Sequence, residues 1–116
     1  MDYRDFQVRS RLNNQTYHCH FVYLQTAISL RHSDTVDVKF LVNGTGVVVA
    51  LPHTAWGEYR KRTGGPLTDD LAAQVAATLL SEALERGDGM ELLDLNPTAE
   101  RVVEAALVKR EKTAAA

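Results

Sequence analysis

The chain predicts an α+β fold, an antiparallel β-meander of four to five strands followed by two to three helices packed on one sheet face. Three observations carry that expectation. Two short turns, Asn13-Asn14 and Asn43-Gly44, each lie between runs whose apolar residues alternate, as half-buried antiparallel strands require. From Thr54 onward the apolar spacing changes to the three-and-four rhythm of helices. Helix punctuation, Thr68 before Asp69 and Asn96 before Pro97, falls where that rhythm begins.

The strands follow in order. Asparagine tolerates the left-handed backbone that a two-residue hairpin loop needs, so Asn13-Asn14 pairs Ser10 with Tyr17, Val8 with Cys19 and Phe6 with Phe21. The opposite face then carries Arg11 with Thr16, Arg9 with His18 and Gln7 with His20, a solvated side. Ala27-Ile28-Ser29-Leu30 alternates again. A loop around His32-Ser33-Asp34 is expected to return the chain so that Ile28 and Leu30 lie beside Val38 and Val36. Asn43-Gly44 suits a type I′ turn, whose central residues both need positive φ. With it as the loop, Phe40 faces Val47, Val38 faces Val49 and Val36 faces Leu51, and a one-residue slip would turn them all to solvent.

The helices are read from caps and stripes. Leu51-Pro52 closes the last strand, and Thr54 is expected to cap a short helix through Arg62 with Ala55, Trp56 and Tyr59 inward, although Gly57 weakens it. Thr63-Gly64-Gly65-Pro66 ends that helix, since glycine supplies a left-handed exit and proline cannot continue the ladder. Thr68 caps the main helix, Asp69 to about Arg86, with Asp69 and Asp70 where the helix dipole favours negative charge and Gly87 as the stop. Its apolar positions, Leu71 through Ala83, cover about half the circumference, more than one sheet face needs. The small residues along it would admit a second helix from the same chain or from another copy, which makes Ala72, Ala76, Leu80 and Ala83 candidate interface residues. The internal candidate begins at Asn96-Pro97, with Ala99, Val102, Val103, Ala106 and Leu107 as its stripe. Met90 to Leu95 is apolar enough for a short strand joining the sheet edge. Residues 1–110 form a single domain and 111–116 a frayed tail.

Composition excludes several classes. With 116 residues, 45% apolar and 24% charged, the chain can bury a core and is neither disordered nor membrane-spanning. No apolar run approaches the roughly 20 residues of a transmembrane helix, and Met1-Asp2-Tyr3-Arg4-Asp5 lacks the apolar centre of a signal peptide. A soluble protein in the cytoplasm is expected, with no membrane partner. The single cysteine, Cys19, suits a reducing compartment. The sequons Asn14-Gln15-Thr16 and Asn43-Gly44-Thr45 are read as turns. Acidic residues dominate from Thr63 to Leu95, and the only dense basic cluster is Arg60-Lys61-Arg62.

Candidate chemistry is sparse. His18-Cys19-His20 places two imidazoles on one strand face, where they could share a metal if His32, His53 or Asp37 supplied a third ligand. Two polar residues alternating on a solvated strand beside Arg9 and Gln7 are the simpler and preferred reading of the pair. Gln7, Arg9, His18 and His20 together form the candidate ligand-binding set, with His18 and His20 the candidate metal ligands. Cys19, on the other face, is read as a small buried hydrophobe. Ser29 and Ser33 lack the nucleophile elbow, and neither Gly44-Thr45-Gly46 nor Gly64-Gly65 forms a phosphate-binding loop with its lysine. Adjacent Asp69 and Asp70 point apart and serve as capping charge. Trp56 and Tyr59 beside Arg60, Lys61 and Arg62 could stack and neutralise single-stranded nucleic acid, but three adjacent basic residues are thin support for such a surface. No catalytic residue and no cofactor is assigned. The expected function is a non-enzymatic protein-interaction or assembly module, homodimeric. A small-ligand or metal-binding protein, possible as an enzyme, on the outer sheet face comes second, and a nucleic-acid-binding regulator third.

Overall fold

The computed structural model of the chain describes residues 3–11, 14–27, 35–86 and 94–115. Along it run β1 (Asp5–Arg9), β2 (Thr16–Ala27), β3 (Thr35–Val42), β4 (Thr45–Pro52), α1 (Thr54–Thr63), α2 (Asp69–Glu85), β5 (Asp94–Leu95) and α3 (Ala99–Ala115). Strands β1 to β4 form an antiparallel meander in sequence order, and β5 adds to the β4 edge in parallel. The helices pack on the sheet, which makes the fold α+β as expected.

The β3–β4 hairpin has the expected register, with Phe40 opposite Val47, Val38 opposite Val49 and Val36 opposite Leu51. Asn43 and Gly44 take φ of 49° and 85°, the left-handed pair that a type I′ turn demands. Asn43 also reaches the neighbouring strand. Its N–H donates to the His18 carbonyl at 2.9 Å, and its Oδ1 accepts from the His18 N–H at 2.8 Å.

The first hairpin keeps its faces but not its register. Phe6 opposes Cys19 and Val8 opposes Tyr17, a slip of two residues from the pairing that Asn13-Asn14 as a two-residue loop requires. The ladder closes earlier, where the Ser10 N–H donates to Gln15 O at 2.9 Å, and Asn14 takes φ 57° with its N–H on Ser10 O. Arg11 explains the early exit, because its N–H donates instead to Glu85 O at the end of α2, at 3.0 Å. A helix-end carbonyl without an intrahelical donor is satisfied there. Because the slip is two and not one, every side chain stays on its predicted face. Asn13 lies outside the described residues.

β2 also differs from expectation. It runs unbroken to Ala27 and itself pairs with β3, so Val38 has Leu24 beside it and Val36 has Thr26, not Ile28 and Leu30. The register shifts between Phe21 and Tyr23, where Val22 is the extra residue of a bulge. One added residue reverses the alternation and returns Leu24 to the inner face, which strict period-two counting misses. Residues 28–34 lie outside the description, as do Gly87 and residues 90–93. Of the Met90–Leu95 segment, Asp94 and Leu95 form β5 beside Val48 and Val49.

The core lies between the inner sheet face and the helices. Val38, Phe40, Val49 and Leu51 are fully buried against Val75, Ala76, Val102 and Val103. Phe40 sits at its centre, edge-to-face with Phe6 at 5.8 Å and Phe21 at 6.0 Å. Thr68 caps α2 as expected, accepting from the Leu71 N–H at 3.2 Å. Two other caps fall elsewhere. Thr54 is already helical and His53 stands at the cap position without a side-chain bond, because the Trp56 N–H finds the His53 carbonyl. At α3 the cap is Thr98, whose Oγ1 accepts from the Arg101 N–H at 3.2 Å, so Asn96 and Pro97 precede the helix. Gly64 ends α1 in the left-handed conformation, φ 76°. Arg101 bonds both carboxylate oxygens of Glu82 and so ties α3 to α2. The α3 backbone remains helical past Arg110 to Ala115.

Candidate functional site

The outer sheet face is the side without a helix among the described residues, and the corrected register decides what meets there. Gln7 lies opposite His18 and Arg9 opposite Thr16, each two positions from the predicted partner, and Asp5 lies opposite His20. Gln7 Nε2 donates to His18 Nε2 at 2.8 Å, and the two imidazoles stack with centroids 5.5 Å apart and planes at 27°. His20 Nδ1 lies 3.5 Å from Asp5 Oδ1. The result is a short polar ladder, Asp5–His20–His18–Gln7, exposed along its length. Arg9 is exposed beside it with no ion-pair partner among the described residues.

Sequence pattern finds three members of this ladder and misses Asp5, because the two-residue loop would have set His20 against Gln7. It also misses the Asn43 side chain, whose turn role is legible and whose bond to His18 is tertiary. No group of three His, Cys, Asp or Glu side chains among the described residues is placed to hold a metal. Of the third ligands considered for His18 and His20, Asp37 accepts from Thr35 Oγ1 at 2.8 Å, His53 stacks on Trp56 at 5.8 Å, and His32 lies outside the description.

Farther along the outer face the surface becomes less polar. Tyr23 lies opposite Lys39 and Lys39 opposite Val48, while Leu41 beside them is 37% exposed and the bulge residue Val22 45%. The Lys39 ammonium stands 5.9 Å from the Tyr23 ring centre. A Cβ on Gly46 would meet the Lys39 stem at 3.0 Å, so this glycine leaves room for the lysine to cross the sheet. Beneath, Cys19 is fully buried, and loss of hydration pushes its thiol up to about 12.

The other candidate residues are dispersed. Trp56 and Arg60 line a cleft of about 500 Å³ with His53, Gly57 and Pro66. Lys61 and Arg62 are exposed outside it, in the last turn of α1 where the helix dipole favours cations. Tyr59 is buried and unavailable to stack on a base. Ala72, Ala76, Leu80 and Ala83 are all buried within the single chain. The apolar arc of α2 is filled by the sheet on one side and α3 on the other. Among the described residues no helix is long and apolar enough to cross a membrane. Comparison with protein-family models, curated proteins and solved structures finds no match to this chain.

Proposed function

We propose that this chain is a non-enzymatic assembly module that self-associates as a homodimer through the sheet surface its helices leave bare. The asymmetry of cover carries the proposal: helices pack on one face, while the outer face and the β1 edge have no covering element among the described residues. An unpaired strand edge offers a row of free N–H and C=O groups, the surface most prone to pair with another chain. The small residues of α2 lend no support, since the chain itself buries them, and association rests on the sheet instead. A cytoplasmic location belongs to the same proposal, and one buried cysteine suits a reducing compartment. Light scattering of the purified chain at micromolar concentrations should return twice 12.9 kDa. A mass that stays at one chain would overturn the proposal.

A second reading has its own observation. The stacked His18 and His20 rings and the Gln7 amide stand together on open surface, and a small ligand or metal ion would bind there by displacing the Gln7 amide from His18 Nε2. Zinc, nickel or copper should then raise the melting temperature by several degrees, and His18→Ala with His20→Ala should abolish the shift. An equal shift in the double variant would remove this site.

A further inference from the structure

The free edge of β1 has a readable hydrogen-bond phase. Ser10 N–H donates to Gln15 O at 2.9 Å, and Phe21 N–H donates to Arg4 O at 3.0 Å. Both bonds belong to the register that sets Asp5 against His20 and Arg9 against Thr16. Antiparallel ladders alternate bonded and non-bonded pairs, so Phe6 and Val8 also turn their backbone groups toward β2. Asp5, Gln7 and Arg9 therefore aim their N–H and C=O groups away from the sheet, at the open edge.

We propose that a second copy of the chain pairs there, β1 against β1 and antiparallel, about a two-fold axis beside Gln7. This inference rests on the self-association proposed above and names its surface. In that register Asp5 meets the second copy's Arg9, Gln7 meets Gln7, and Arg9 meets Asp5, so all three outward pairs are complementary. On the inner side Phe6 meets the second copy's Val8, an apolar pair at a rim where the two residues keep 8% and 5% exposure. Competing registers do worse. Centring the axis on Asp5 or on Arg9 opposes like charges, and only the Gln7-centred register uses the whole of β1. Among the described residues Arg9 has no ion-pair partner and Asp5 pairs only with the His20 ring. The pairing adds about six backbone hydrogen bonds and joins two sheets into one, with both helix layers on the same side. It is an isologous contact that closes on itself and does not propagate.

Sedimentation equilibrium of the full chain and three variants tests the register. Arg9→Asp creates two like-charge pairs across the axis and should weaken the dimer about tenfold or more. Gln7→Pro should do the same by removing an edge N–H; β2 does not use that N–H, so proline is tolerated there as on other edge strands. The exchange Asp5→Arg with Arg9→Asp restores both ion pairs and should return the dimer to within about threefold of the parent. Far-UV circular dichroism and urea midpoints verify that each variant folds. If the parent is dimeric and neither single variant weakens it, or the exchange fails to restore it, the β1 edge is overturned while self-association survives. Leu41→Asp then tests the outer face. If the parent is monomeric throughout, both proposals fall.

Discussion

Asn43 does two jobs that substitution can separate. Its backbone holds φ 49° in the type I′ turn, and its Oδ1 accepts the His18 N–H at 2.8 Å. Asn43→Gly keeps the turn and removes the acceptor. The bond is exposed, so water replaces it and the loss should be about 0.5–1 kcal/mol. Glycine's extra freedom in the unfolded chain and its relief of left-handed strain oppose each other and are each about 0.5–1 kcal/mol. Asn43→Ala loses the same bond and also gives up asparagine's tolerance of the left-handed region, a further 0.5–1 kcal/mol, roughly, once the strain Asn43 already bears is set against alanine's. The expected order of urea midpoints is parent, then Gly, then Ala, with alanine about 1–2 kcal/mol below the parent. Equal midpoints for Gly and Ala would refute the turn assignment. A glycine variant as stable as the parent would show that the bond to His18 contributes no net stability.

Other substitutions probe the core and the buried thiol. Phe40→Ala removes a fully buried ring with two edge-to-face neighbours and should cost about 3–5 kcal/mol in urea unfolding. Ala76→Glu sets a charge where the chain buries the position completely, and loss of the folded circular dichroism spectrum is expected. A folded Ala76→Glu chain that fails only to dimerise would move the interface to α2. Cys19 should react with a thiol reagent at pH 8 no faster than the chain unfolds. Its folded value of about 12 stands above the ordinary 9.0, so the folded state holds the proton more tightly. The stability this contributes is present below about pH 9 and declines as pH rises from there toward 12. Urea midpoints from pH 8 to 11 should fall less steeply for Cys19→Ala than for the parent.

What was legible in the chain follows from how far each determinant reaches. The β3–β4 hairpin is readable to the residue because turn chemistry and face sorting are both local and agree at Asn43-Gly44. The first hairpin is readable in its faces, since Phe6, Val8, Tyr17 and Cys19 must be buried, but its register depends on Arg11 bonding Glu85 at the far end of α2. That single tertiary bond moved Gln7 from His20 to His18 and brought Asp5 into the ladder. The bulge at Val22 hid the long β2, because one unpaired residue breaks the alternation on which strand reading rests. At α2 the apolar arc was correctly wide. What the sequence could not say is that its second partner is α3 of the same chain, where Arg101 grips Glu82.

Backbone amide exchange at two protein concentrations tests the central claim most directly. Phe6 and Val8 donate toward β2 and should be protected at any concentration, whereas Asp5, Gln7 and Arg9 face the open edge. Amide exchange by NMR should show the Asp5, Gln7 and Arg9 N–H groups protected at high concentration and fast on dilution, with Phe6 and Val8 unchanged. Fast exchange of those three amides at every concentration at which light scattering finds a dimer would contradict pairing through β1.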